Sequence, residues 1–404
     1  MHMKKKVAII GTVGLPANYG GFETLAEHLV KNLHQEYDLS VYCSGKKYAK
    51  GNRPSSYLGA KLHYLPLEAN GIQSIPYDTL SILHALFYAD VLLILGVAGA
   101  WMIPFVRLFT NKKVIVSIDG IEWKRDKWSR LAKAFLFWSE GIAVKYSHID
   151  ISDNESIQDY TAMRYGSLSR IIEYGADHTL QVKPTLEDKA EYPFLKLPYA
   201  FKVCRIEPEN NVGTVLEAFS QLPKYTLVVV GNWKNSAYGI ALREQYKAFS
   251  NLILLDPIYD QRTLDALRGN AMVYIHGHSA GGTNPSLVEA MYLGLPVLAY
   301  GVSYNRTTTE HKALYFKDDN DLKWLIENTS VPELKALGET MGAVAQRRYT
   351  WKRIAEHYRL LIMEALLIKN KGQVMPDTRK IDNSTLLDMN LGHLTHQQGF
   401  FEKR

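Results

Sequence analysis

Val7-Ala8-Ile9-Ile10, then Gly11-Thr12-Val13-Gly14-Leu15-Pro16-Ala17-Asn18-Tyr19-Gly20-Gly21, then Phe22, Leu25, Ala26, Leu29, Val30 and Leu33 open the chain. The four-residue apolar run reads as a buried strand. The apolar positions after the glycines recur at helical spacing, so they predict an amphipathic helix laid on a sheet. The basic start, Met1 to Lys6, precedes too short an apolar run to be a secretion signal, because Gly11 ends it.

The same strand–loop–helix rhythm continues. Apolar runs recur at Leu39–Cys43, Leu62–Leu65, Val91–Leu95, Val114–Ile118 and Ile149–Ile151, with helical stretches between most of them. This alternation predicts an α/β doubly wound parallel sheet. A polar, proline-containing segment, 181–198, interrupts it. The rhythm restarts at Phe201–Cys204, Thr226–Val230, Leu252–Leu255, Met272–Ile275 and Val297–Ala299. With 404 residues, the chain is expected to hold two such domains, 1–180 and 198–350. A helix over 351–368 would cross back to the first domain, followed by an aperiodic, mobile polar tail, 369–404. Two open α/β sheets leave a cleft outside the carboxyl ends of their strands, where ligands of such folds bind.

Composition excludes several classes. At 47% hydrophobic and 22% charged residues the chain is an ordinary globular protein, not a disordered, collagenous or coiled-coil one. Two cysteines, Cys43 and Cys204, make neither a disulfide framework nor a four-ligand zinc site, so a cytoplasmic location is expected. The longest apolar run, Val91 to Val106, is broken by Gly96, Gly99 and Pro104 and is too short for a membrane helix. A net charge of +6 does not argue for nucleic acid. Its distribution is uneven, however: between Arg107 and Lys133 stand eight basic residues and three acidic ones.

Three loops carry the candidate chemistry. In the first, Gly14, Gly20 and Gly21 allow close backbone approach, and Gly20-Gly21 enters a helix whose N–H groups can take a phosphate; a purely structural turn is the other reading. The spacing fits neither a dinucleotide fingerprint, since Val13 stands where the second glycine belongs, nor a P-loop. The second, Cys204 to Asn211, places Arg205 beside a helix start, suited to clamping a diphosphate or to a surface ion pair. The third, His276-Gly277-His278-Ser279-Ala280-Gly281-Gly282-Thr283-Asn284-Pro285-Ser286-Leu287-Val288-Glu289-Ala290-Met291, runs from a strand through a glycine turn into a proline-started helix. Its backbone N–H groups can meet an anion, and Glu289 can accept from sugar or ribose hydroxyls. His276 and His278 are either packed residues or ligand contacts.

Taken in order, the glycine loop, the Arg205 loop, the string Asn284-Pro285-Ser286-x-x-Glu289-Ala290-Met291 and Gly294-x-Pro296-Val297 resemble glycosyltransferase family 4 over residues 5–365. Within it, the first loop through Glu23, Asp119-Gly120-Ile121-Glu122-Trp123-Lys124-Arg125 and Gly281-Gly282-Thr283 look like the bacterial rhamnosyltransferases of capsule and cell-wall polysaccharides. That resemblance implies the GT-B fold, two Rossmann-like domains facing across a cleft. It implies retaining transfer of a sugar, L-rhamnose from dTDP-rhamnose, onto a lipid-diphosphate-linked saccharide at the inner membrane face. Alternatives on the same fold are a UDP-sugar-dependent hexosyl- or N-acetylhexosaminyltransferase and a nucleotide-sugar epimerase or hydrolase. Gly14, Gly20, Gly21, Arg205, Gly282, Thr283, Asn284, Ser286 and Glu289 would hold the donor, which is a substrate; no cofactor and no metal are expected. Two departures stand out: Gly281 replaces an acid eight positions before Glu289, and Asn210 replaces a basic residue five after Arg205.

Asp119 and Glu122 follow a buried strand where the family places the acceptor, so they are the catalytic candidates for taking up or orienting the acceptor's proton; a helix cap or an ion pair is the other reading. Trp123, Lys124, Arg125, Lys127, Trp128 and Arg130 interleave aromatic and basic groups and are the expected contacts to an anionic membrane surface, against a solvated helix with a buried aromatic face. Asp319-Asn320-Asp321 is expected to cap a helix rather than bind metal.

Overall fold

The computed structural model describes residues 4–17, 20–118, 120–124 and 128–394. The chain divides into two compact units: unit 1 is Met1–Glu173 with Lys352–Arg404, and unit 2 is Tyr174–Trp351. The segment expected as the boundary, 181–198, lies inside unit 2, where Arg262 holds Asp188 through two hydrogen bonds of 2.6 and 2.8 Å.

Unit 1 contains β1 (Lys6–Ile10), β2 (Asp38–Ser44), β3 (Ser56–Tyr57), β4 (Ala60–Leu65), β5 (Val91–Leu95), β6 (Lys113–Ile118), β7 (Ile149–Ser152) and β8 (Arg170–Ile171). They form one sheet in the order β3-β4-β2-β1-β5-β6-β7-β8. The five residues of β5 are all buried, as expected of a parallel strand covered by helices on both faces. The sheet is not wholly parallel. β3 is an antiparallel edge strand joined to β4 by Leu58 and Gly59, both at positive φ, a two-residue hairpin too short to leave a periodic signal.

Unit 2 contains β9 (Tyr199–Val203), β10 (Thr226–Val230), β11 (Leu252–Leu255), β12 (Val273–His276), β13 (Val297–Tyr300) and β14 (Leu314–Phe316), in the order β11-β10-β9-β12-β13-β14. Every pairing is parallel. The chain winds outward from β9, returns to β12 and winds outward the other way. The strand order therefore reverses between β9 and β12, and the loops leaving these two strands are neighbours.

The segment expected as a mobile tail is ordered through residue 394. Met375, Thr378, Leu386 and Leu394 are buried, and Ser167 forms a β-bridge with Asp377. Apolar side chains too sparse for a period still find a surface to cover. Lys371 reaches Asp150, which has no solvent exposure, at 2.6 Å and also donates to the Val144 carbonyl. Breaking a buried pair by deleting one partner strands the other charge. Lys371→Met should destabilise unit 1 by about 3 kcal/mol, and the double variant Asp150→Asn/Lys371→Met should recover most of it, as read from urea unfolding midpoints.

Candidate functional site

The carboxyl ends of β9 and β12 carry the loops 204–211 and 277–284, and these loops are tied to each other. The Asn211 side-chain amide donates to the Gly277 carbonyl at 2.8 Å. The Ser279 N–H and hydroxyl both donate to the Glu209 carbonyl, at 2.8 and 2.9 Å. Within the first loop Asn210 donates to the Arg205 carbonyl at 2.6 Å, and the Ile206 N–H donates to the Asn232 side-chain oxygen at 2.7 Å. The Arg205 side chain is 41% exposed and its nearest carboxylate, Glu207, is 3.8 Å away, so the guanidinium remains open to a ligand.

The second loop enters the helix Pro285–Tyr292. Asn284 caps it, accepting from the Ser286 N–H at 3.1 Å and the Ser286 hydroxyl at 2.8 Å, and the proline at the first position needs no N–H partner. The Asn284 oxygen and the Ser286 hydroxyl are thus engaged in shaping the turn. Gly282 and Thr283 are buried beneath it.

Glu289 lies one turn into that helix and is held on both sides. One carboxylate oxygen pairs with Arg268, from the helix Gln261–Gly269, and the other accepts from His178 at 3.2 Å. Arg268 has no exposure and also pairs with Asp265 at 2.6 Å. The Trp351 indole donates to His178 Nδ1 at 3.0 Å. An indole nitrogen only donates, so His178 Nδ1 accepts and Nε2 carries the proton toward Glu289. Burial pushes the Glu289 carboxyl up, but the Arg268 charge and the His178 hydrogen bond outweigh it and hold it down at about 2. Glu289 is therefore a fixed carboxylate. Arg268, His178 and Trp351 escape a motif reading because nothing ties residues 178, 268 and 351 together before folding. Their one local trace is the i, i+3 pair of Asp265 and Arg268.

In unit 1 the first loop packs as a turn. Added Cβ atoms at Gly14 and Gly20, both at positive φ, would collide with Cys43 and Glu23 respectively. The Val13 N–H donates to Glu23 and the Ala17 N–H to Glu27, at 2.5 and 2.7 Å. Gly21 begins the helix Gly21–Leu33. Glu122 accepts from the Trp128 indole at 3.0 Å. Asp119, Arg125 and Lys127 lie outside the described residues.

Of the interleaved aromatic and basic set, Lys124 and Arg130 are exposed, whereas Trp123 and Trp128 turn inward onto the core of unit 1. Trp123 donates to the Tyr160 hydroxyl at 3.2 Å. The outward apolar side chains stand nearby instead. They are Leu131 and Trp138 on the helix Arg130–Tyr146, with Phe105, Leu108 and Phe109 on the helix Ile103–Phe109 that packs beside it. Leu131 is 85% exposed and Leu108 75%. His276 and His278 stack with ring centroids 4.4 Å apart, and His276 is fully buried. The helix after Phe316 is capped by Asp318 rather than by a member of the acidic triplet, which occupies its first turn. Among the described residues no helix is long and apolar enough to cross a membrane.

Residues 185–336 match the family model "Glycosyl transferases group 1", and residues 4–177 match a domain of unknown function, DUF1972. No curated protein matches the chain. Among solved structures, a sucrose-phosphate synthase from Thermosynechococcus elongatus is 17% identical over 89% of this chain and 99% of its own, with a TM-score of 0.75. The Anabaena protein HepE in complex with UDP-glucose is 13% identical over 89% of this chain and 99% of its own, at 0.66. A trehalose 6-phosphate synthase from Burkholderia multivorans is 10% identical over 90% and 97%, at 0.68. The fold is GT-B, with two Rossmann-like units built on mainly parallel sheets, and the group 1 match lies within unit 2.

The depressed Glu289 carboxyl ties stability to pH. Its folded value, about 2, lies below the ordinary 4.5, so its contribution is complete above pH 4.5 and is lost as pH falls from there through about 2. Glu289→Gln should therefore lower stability at pH 7 and flatten the acid limb. Urea midpoints measured from pH 6 down to about pH 2 should converge on those of the parent.

Proposed function

We propose that the protein is a retaining glycosyltransferase that moves a sugar, L-rhamnose from dTDP-rhamnose, onto a lipid-diphosphate-linked saccharide in cell-surface polysaccharide synthesis. The observation that carries this reading is the switch point of unit 2. There the loops carrying an open arginine and a glycine turn leave neighbouring strands, and Glu289, a largely buried carboxylate held in its charged form, stands one turn into the helix that the second loop enters, within the residues that match the group 1 model. Ligands of open α/β sheets bind at such a point. In this reading Arg205 and the N–H groups of 282–284 meet the diphosphate, and Glu289 accepts from ribose or sugar hydroxyls. The pre-set charges of these groups stabilise the departing diphosphate without reorganising. Gly282, Thr283, Asn284 and Ser286 shape the turn that presents those N–H groups. The bond from the sugar's anomeric carbon to the diphosphate oxygen breaks, the acceptor oxygen bonds to that carbon on the same face, and the acceptor proton leaves to Asp119, Glu122 or the diphosphate.

The sugar rests on the resemblance of 281–284 to rhamnosyltransferases. UDP-sugar-dependent hexosyl transfer is the second reading, favoured by the UDP-glucose named with the HepE structure. The lipid-linked acceptor is supported by the outward apolar residues of unit 1. Leu131, Trp138, Phe105 and Leu108 are uncovered and have Lys124, Arg130 and Lys145 exposed beside them, a composition that suits the headgroup zone of an anionic bilayer.

Purified protein given a lipid-linked acceptor should consume dTDP-rhamnose faster than UDP-sugars; the reverse order selects the second reading. Donor consumed equally fast without acceptor means hydrolysis or epimerisation. Arg205→Ala should reduce kcat/KM for donor by about 10²-fold. The triple variant Leu131→Gln/Trp138→Gln/Lys145→Gln should cosediment several-fold less with phosphatidylglycerol vesicles and keep its transfer to a short soluble acceptor. Unchanged sedimentation would remove the membrane from the proposal.

A further inference from the structure

Lys202 is the fourth residue of β9, three positions before Arg205, and it is 1% exposed. Its ammonium nitrogen has no hydrogen-bond partner. A lysine amine so placed is costly, because water is removed from the charge and nothing replaces it. Its position is defined from two sides. A Cβ added to Gly277 would stand 2.8 Å from Lys202 Nζ and 2.5 Å from the Asn210 carbonyl oxygen, so the missing side chain at Gly277 is what makes room for the ammonium. Lys202 Nζ therefore lies between the loop that carries Arg205 and the loop that leads to Gly282 and Thr283, at the reversal of strand order. Asn210, where the resemblance expects a second basic residue, spends its amide on the Arg205 carbonyl and brings no charge.

The groups around this nitrogen do not neutralise it. Cys204, on the same strand, has its thiol pushed up by burial. His276, the end of β12, is held well below its ordinary value, first by burial and then by Lys202 itself, and His278 stacks on it. Glu207 and Arg205 act on Cys204 from the loop, and Glu207 pairs with Arg205. The amine thus has no carboxylate hydrogen-bonded to it and lies by the Asn210 carbonyl and Gly277, where the two loops leave the sheet.

We propose that Lys202 is the second positive charge of the diphosphate site, reaching the ligand from beneath the two loops in place of the basic residue absent at 210. This rests on the reading of unit 2 as a nucleotide-sugar site and adds a residue to it. Without ligand, burial lowers the tendency of Lys202 to hold its proton. A diphosphate placed over the loops raises it, so binding draws in a proton.

Titration calorimetry with dTDP and with UDP, in buffers of different ionisation enthalpy across about pH 6 to 10, reads this directly; thymidine is the control that lacks phosphate. The parent protein should take up a proton with whichever diphosphate it binds and none with thymidine. Lys202→Met should bind that diphosphate about 10- to 100-fold more weakly and lose the Lys202 share of the uptake. Without ligand it should melt at a higher temperature than the parent, since an uncompensated buried amine has been removed, and this separates lost binding from lost folding. Equal affinity and equal proton uptake in parent and variant would overturn the role of Lys202 while leaving the site in place. Failure of the parent to bind either diphosphate would overturn the site and this inference together. A variant that melts lower than the parent without ligand and binds as tightly would make Lys202 a packing residue.

Discussion

A parallel strand covered by helices on both faces keeps nearly all of its side chains out of solvent. In unit 2 this constraint governs everything else: β9, β10, β12 and β13 are buried almost throughout, so whatever reaches solvent from the sheet must do so beyond the strand ends. The reversal of order between β9 and β12 then decides which ends matter, because only there do two loops leave neighbouring strands toward helices on opposite faces. Arg205, the glycine turn and Glu289 are arranged by that topology. The hydrogen bonds between 204–211 and 277–284 make the two loops one surface.

Two buried cations in unit 2 illustrate opposite solutions to the cost of removing charge from water. Arg268 has no exposure but faces two carboxylates, Asp265 and Glu289, and through them joins the helices Gln261–Gly269 and Pro285–Tyr292. Its electrostatic work is internal. It keeps Glu289 ionised and oriented, with His178 and Trp351 fixing the other oxygen. Lys202 is equally buried, and its ammonium nitrogen has no hydrogen-bond partner. A fold that pairs one buried cation with two carboxylates, though its Nε has no partner, and gives the other none has a stability deficit at the second.

In unit 1 the helix Arg130–Tyr146 buries a carboxyl group among mostly apolar residues. Its inner face holds Glu140, without exposure, accepting from the Tyr160 and Tyr165 hydroxyls at 2.5 and 2.6 Å. Burial pushes that carboxyl up, and the two tyrosines counter it by hydrogen bonding. The outer face meanwhile leaves Leu131 and Trp138 uncovered. One Glu140 oxygen thus accepts from two tyrosines while the other is buried without a hydrogen-bond partner, and apolar side chains of the same helix stay uncovered outside.

The strand runs, the helix after the first loop and the final helix Trp351–Leu367 were legible in the sequence, because a period of 3.6 or a run of buried β-branched residues is a local consequence of which faces are covered. The places of Arg205 and Glu289, though not their roles, were legible from their offsets to a strand end and a helix start. Sequence by itself thus determined the fold class and which loops leave which strands. Tertiary structure alone decided which groups those residues meet. His178, Arg268 and Trp351 converge on Glu289 from three separate segments, and Lys202 looks like one more position of a strand until Gly277 from β12's loop is laid beside it. It also decided the direction of Trp123 and Trp128, which sequence composition groups with the basic residues but packing turns to the core, and the docking of 371–394, whose few apolar side chains form no period. Charge compensation and burial depend on distances between residues remote in sequence, and no local pattern encodes those distances.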